Sequence, residues 1–323
     1  MALLASLVAT GVSSWFAVRL LGQWRATRFA PMLWWGASVA MFAVASLMLL
    51  GGELVGWNEV TFRTFYLFGA VLNVPWLALG SIEVNRRSVA VTRFTALVAL
   101  LVGVLFVPAA LRGSALALPG ALLGLAWGLA LLGARASAWR SRLTLAVLVA
   151  FSLAAAVAVP MADLVATIPT DGIPEGSDLF GEGVRGLAVG GNALGATVVI
   201  LGALASALVM AWGNADAQAR LEFRGRVRRF PVDALALALF RGWRAAHEAG
   251  LAHLAVGNLI IGLGVLVAAG SGGMFSFLGA TTGHAIGLGL GVSIMAAGFT
   301  RTQRPLARRQ DAPGLPATEG ASS

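Results

Sequence analysis

Arg63, Tyr66 and Asn73 lie in the apolar stretch FRTFYLFGAVLNVPWLALGS. At about 100° per residue they fall within about 80° of one another on a helical wheel. A guanidinium, a phenol and a carboxamide on one face supply hydrogen bonds, but no nucleophile paired with a base. Asn73 is placed near mid-membrane, where an amide costs energy unless it is bonded, so it must meet a partner helix or line a wet cavity. Pro75 has no N–H to offer the carbonyl four residues back, that of Val71. Two uses fit: hydrogen bonding between helices, or a pocket opening outward with Arg63 and Tyr66 at its mouth. Asn192 joins these three as a candidate pocket residue, and Asn258 is a further polar position at another depth.

Other chemistries are harder to build from this sequence. Cysteine is absent, which removes disulfides, thiolate metal sites and cysteine nucleophiles. Lysine is absent too, so no Schiff base can form on a side chain. The segment HEAGLAH sets His247 and His253 six residues apart. A zinc-protease helix needs a spacing of four to put both rings on one face. His284 belongs to the opposite end of the membrane from His253, about 20 Å away at 1.5 Å per residue, too far for both to hold one metal or haem. The acids Asp171, Glu175 and Asp178 lack the alternating ligands of a calcium loop. The expectation is no cofactor.

The elements that carry these residues follow from composition. The chain is 58% hydrophobic and 11% charged, with a mean hydropathy of +0.84, too little charge to cover a soluble fold. Runs of about 20 apolar residues span a bilayer. Nine are predicted: 2–21, 31–52, 63–82, 93–111, 116–134, 143–162, 186–212, 251–270 and 279–299. Residues Met1 to Ser14 lack a basic leader and Arg19 follows the apolar run, so the first stretch reads as a span and not as a cleaved signal. The predicted fold is an all-α polytopic bundle.

Arginine placement predicts its orientation. Twenty of the 23 arginines fall in alternate connections and the tail, while Arg63, Arg112 and Arg185 fall on the other side. The positive-inside rule then puts the amino terminus outside and the carboxyl terminus in the cytoplasm of a plasma (inner) membrane. The seven acids on each side agree, and the net charge of +9 is an orientation signal with no bearing on nucleic acid. By these boundaries no ionisable residue lies near the middle of a span, which disfavours a buried proton relay.

The layout reads as seven plus two: a seven-helix bundle over 1–212, an arginine-rich cytoplasmic linker over 213–250, a helical hairpin over 251–300 and a disordered tail over 301–323. An acidic outer loop of some 23 residues follows Asp163 and is ordered only if it packs on the bundle. In the linker, Leu235, Leu239, Trp243 and Ala246 mark one face of an amphipathic helix. Arg241 and Arg244 on another face are placed for anionic headgroups. Gly186 and Gly190, and Gly283, Gly287 and Gly291, stand at the four-residue spacing that lets helices approach closely, within the bundle or between subunits. No internal repeat of the kind that builds duplicated transporters is evident.

The segments RFAPMLWWGASVAMFAVASLMLLGGELVGW and FYLFGAVLNVPWLALGS resemble uncharacterised bacterial multi-pass membrane proteins. They are also similar, more distantly, to the seven-helix sensor regions of histidine kinases, over spans one to three. A sensor of that type implies a separate output partner, because no kinase domain follows span seven. Three function classes remain: a non-enzymatic binding, sensing or assembly protein; a carrier or flippase for an uncharged or amphipathic solute; and, lowest, a lipid-modifying enzyme with no nominated catalytic residue. Membrane lipids, a protein partner or a second copy are the expected partners.

Overall fold

A computed structural model describes residues 2–85, 89–133, 137–169, 172–213, 252–277 and 281–310. These residues are helical almost throughout, and each of the nine hydrophobic stretches has its described part largely on a helix. In chain order they are α1 (Ala2–Thr27), α2 (Ala30–Val55), α3 (Glu59–Phe65), a π-helical segment (Tyr66–Leu72), α4 (Asn73–Asn85), α5 (Val89–Leu111), α6 (Leu118–Gly133), α7 (Ser137–Met161), the single turn α8 (Gly176–Leu179), α9 (Glu182–Gly213), α10 (Ala252–Phe277) and α11 (Thr281–Gln310).

Six helices among the described residues are long and apolar enough to cross a membrane. They are Leu3–Thr27, Ala30–Val55, the composite Glu59–Asn85, Val91–Leu111, Ala138–Met161 and Glu182–Ala205. Three further apolar helical stretches are shorter: Leu118–Gly133, Val256–Ala268 and Ile286–Arg301. Large apolar side chains stay exposed around the outside, among them Leu105 on α5, Leu122 on α6, Leu153 on α7 and Leu263 on α10. A soluble monomer does not expose apolar surface on that scale, so the bundle is that of a membrane protein.

Local sequence sets the helix ends. Pro31 occupies the first turn of α2, where a missing N–H costs nothing. Gly56 ends that helix at φ 88°, a conformation that disfavours any side chain, with its N–H donating to Gly52 O at 3.0 Å. Asn58 then opens α3 in a capping box. Thr61 N donates to Asn58 Oδ1, and Asn58 N to Thr61 Oγ1, each at 3.0 Å. At the far end, α11 stays helical to Gln310, past residue 301 where the sequence predicts a disordered tail. Ala, Arg and Gln there are good helix formers.

Glycine decides which helices touch backbone to backbone. A Cβ at Gly124 in α6 would lie 2.6 Å from Gly103 Cα in α5. A Cβ at Gly186 would lie 2.7 Å from the carbonyls of Ala115 and Leu116, and one at Gly190 2.5 Å from Gly120 N, so α9 rides directly on the start of α6. In the last pair, Gly291 of α11 faces Gly264 and Ala268 of α10 at similar range. Gly287 is buried in α11. Gly283 falls within the helix, but its surroundings lie outside the described residues.

The last two helices are not a separate unit. α10 packs on α9 and α11 packs on α1. Phe299 of α11 meets Phe16 of α1 at 5.5 Å and Trp35 of α2 edge-on at 6.2 Å. The linker with Arg241, Arg244 and His247 lies outside the described residues.

Candidate binding pocket

Span three is not a continuous α-helix. Between α3 and α4 it widens into the π-helical turn Tyr66–Leu72, and such wide turns inside α-helices commonly mark functional positions. Pro75, just beyond, offers no N–H to the carbonyls of Ala70 and Val71. The neighbouring helix α9 takes up this defect. A Cβ at Gly191 would lie 3.2 Å from Val71 O and from Pro75 Cγ, and one at Gly195 2.9 Å from the Val74 backbone. Because both are glycine, α9 comes close enough for Asn192 Nδ2 to donate to Ala70 O at 2.8 Å. On the opposite side, Ser38 Oγ of α2 donates to Asn73 O at 2.7 Å. The Asn73 side chain turns back on its own helix, with Val74 N donating to Asn73 Oδ1 at 2.7 Å.

Beside this turn is a cavity of about 330 Å³, at the small end of the usual range for ligand sites. Tyr66, Asn73 and Asn192 all line it, so three of the four candidate residues are brought together. Ser38, Val39 and Phe42 of α2 form a second wall, and Val265 with Leu288, Val292 and Met295 of α10 and α11 form a third. The seven-helix part and the last pair therefore enclose the cavity jointly. Ile173 to Ser177 of the acidic loop close one end.

That loop is held down by side chains the sequence leaves inconspicuous. Leu179 and Phe180 are fully buried, and Ile173 sits against Leu49 of α2. Val165 N donates to Leu179 O at 3.0 Å. Phe180 stacks on Phe62 at 5.2 Å and meets Tyr66 at 4.7 Å. Gly176 lies directly against the Tyr66 ring, where a Cβ would overlap ring carbons. The loop meets the sequence condition for order, since it packs on the bundle.

Arg63 has a different job from the one its wheel position implies. It does not line the cavity. Its Nη1 donates to Val159 O at 2.7 Å and to Ala162 O at 2.8 Å, closing the end of α7 around Pro160. Its Nη2 pairs with Glu59 at 3.2 Å, and the guanidinium lies 5.8 Å from the Phe180 ring centre. The residue is a helix cap and loop anchor.

Among the described residues the lining is mostly apolar, with a phenol, two carboxamides and two serines as polar groups, Glu175 as its one carboxylate, and no arginine. With no cation among the described lining residues, none of them offsets the desolvation of a phosphate or carboxylate. A small uncharged molecule with one hydrogen-bonding end and an apolar body matches these walls. Asn192 Oδ1 is buried with no hydrogen-bond partner among the described residues, a cost carried at the cavity wall beside the π-turn.

The sequence pattern does not mark Ser38, Phe42, Gly176 or Met295 as lining residues. A serine and a phenylalanine in an apolar run carry no sign of which helix they face. Met295 could be placed only by knowing that α11 returns to α2. Glu83 is buried near the end of α4. Comparison with protein-family models, curated proteins and solved structures returns no match. The resemblance of spans one to three to sensor regions gains no support from these comparisons.

Proposed function

We propose that this chain is a multi-pass protein of the bacterial plasma membrane that binds a small uncharged amphipathic molecule in the cavity beside the π-turn. The observation carrying this reading is the meeting of Tyr66, Asn73 and Asn192 on one cavity, under a loop packed onto the bundle. A helix distorted at mid-span and repaired by a side chain of another helix is costly for packing alone. A chain without a catalytic set fits binding or sensing better than turnover.

In this reading all nine stretches cross the membrane, with the acidic loop outside. Arginine–tryptophan pairs stand at the boundary that this reading makes the inner one. Arg19 lies over Trp15 at 5.6 Å, Arg28 over Trp24 at 5.3 Å and Arg142 over Trp139 at 5.6 Å. All three arginines belong to the side expected inside, and paired aromatic and basic residues are typical of a membrane–water boundary. The linker arginines Arg241 and Arg244 would add anionic-lipid contacts there. A partner or second copy, meeting the apolar exterior, would supply the output of a sensor.

The orientation is tested with a membrane-impermeant thiol reagent, since the chain has no cysteine of its own. In the exposed Asp178→Cys variant, labelling is expected in intact cells; labelling only after permeabilisation contradicts the orientation. Binding is tested by thermal unfolding in nanodiscs against a panel of small neutral amphiphiles. A ligand present at about 100 times its Kd stabilises by about 2.7 kcal/mol. The wild type is expected to shift with some members and Ala70→Phe, which fills the cavity, with none. Equal shifts in both proteins contradict the reading.

A further inference from the structure

A second, smaller cavity of about 20 Å³ lies inside the bundle, between α1, α2, α4, α10 and α11. Three of its lining residues, Val39, Leu77 and Met295, also line the larger cavity. The order is the same on the four helices that line both cavities. On α2 the large cavity takes Ser38, Val39 and Phe42, and the small one Val39 and Trp35. On α4 the sequence is Asn73, Leu77, then Ser81; on α10, Ala268, Val265, then Ile261; on α11, Leu288, Val292, Met295, then Phe299. Each helix thus steps by about one turn from the loop end toward the arginine-rich end, about 5.4 Å per turn. The small cavity therefore lies toward the arginine-rich end of the large one, with the three apolar side chains Val39, Leu77 and Met295 lining both.

The small cavity is itself walled by the rings of Phe16, Trp35 and Phe299. Phe16 and Trp35 both pack on Phe299, and Trp35 lies directly against Gly80 of α4. Side chains at these closures can change rotamer without breaking a backbone hydrogen bond. Val39, Leu77 and Met295 carry no polar atom that needs a partner. None of the described residues lining the small cavity is charged. A solute passing this way leaves no ion behind and needs none.

We propose that the two cavities are consecutive chambers of one translocation path for a small uncharged amphipathic solute. The path has a gate at Val39, Leu77 and Met295 and an inner closure at Phe16, Trp35 and Phe299. This rests on the reading of the larger cavity as a binding site and adds passage to it.

The absence of cysteine makes the test direct. Single variants Ser38→Cys, in the upper chamber, and Ser81→Cys, in the lower, are reconstituted in liposomes of known orientation. They are exposed to a small impermeant methanethiosulfonate from the loop side. Ser38→Cys is expected to react, and Ser81→Cys to react slowly. Adding Leu77→Ala should speed labelling at residue 81 by at least about tenfold, because truncating a packed leucine removes more than the 1.4 kcal/mol that a factor of ten represents. Met295→Ala serves as the second gate variant if Leu77→Ala does not purify as a monodisperse species. Opening both closures, with Leu77→Ala and Phe299→Ala together, should raise the glycerol permeability of the liposomes several-fold by light scattering. Labelling at residue 38 with none gained at 81 in either gate variant, or unchanged glycerol permeability, overturns the path and leaves the binding site standing. No labelling at residue 38 removes the accessible upper chamber, and the binding reading with it.

Discussion

Replacing Arg63 with alanine is expected to destabilise the protein by about 3 kcal/mol, although the residue touches no cavity. Its Nη1 serves two carbonyls at the end of α7, Val159 and Ala162. A hydrogen bond from a charged donor contributes roughly 1.5–3 kcal/mol, and Val159, one of the two acceptors, is buried. The pairing with Glu59 adds little, because that carboxylate is largely exposed. Arg63→Lys should recover about half of the loss, since an ammonium cannot reproduce the planar fork. Chemical unfolding in mild detergent measures both. A midpoint unchanged in Arg63→Ala would show that the cap is not needed. Ligand-induced thermal shifts, if the cavity is the site, should survive in Arg63→Lys.

The larger effect is expected from Gly190→Leu. Its Cβ alone would sit 2.5 Å from Gly120 N and 2.6 Å from Gly120 Cα. Ordinary overpacking costs about 1–3 kcal/mol because neighbouring side chains can move aside. Here the obstacle is backbone, so α9 must lift off α6 as a whole. That movement also withdraws Asn192 from Ala70 and opens the cavity wall. The expected cost is above about 3 kcal/mol, the top of that range, with loss of a monodisperse species on size-exclusion chromatography. Gly11→Leu is the control: Gly11 is exposed on α1 with nothing within 4 Å of its Cβ position. A well-behaved, fully stable Gly190→Leu protein would contradict the close approach of α9 and α6.

Arg63 and Gly190 mark the boundary between what is local in this chain and what is not. The helices are legible in the sequence because an apolar run is a local property, and all nine stretches have their described parts largely on helices. Gly190 is legible as a packing residue from its spacing to Gly186, though not its partner, which is the start of α6. Tyr66, Asn73 and Asn192 stand out because a polar group in an apolar run needs a reason, and the structure places all three on one cavity. Arg63 is read as the mouth of a pocket, whereas it stands outside the cavity lining. Its acceptors lie nearly a hundred residues further along, and the carbonyls left open at the end of α7 have no side-chain signature. The π-turn is hidden for a related reason. Pro75 announces unpaired carbonyls, but whether the helix kinks, widens or borrows a donor depends on α9. Gly176 and Met295 are illegible because each matters only through a contact between distant segments.

The most direct test of the cavity as a binding site is native mass spectrometry of protein taken gently from its own membrane, wild type beside Ala70→Phe. The expected result is a neutral organic species, small enough for about 330 Å³, bound one to one in the wild type and absent from Ala70→Phe. A bare wild-type protein, or the same species retained equally by both, would contradict it.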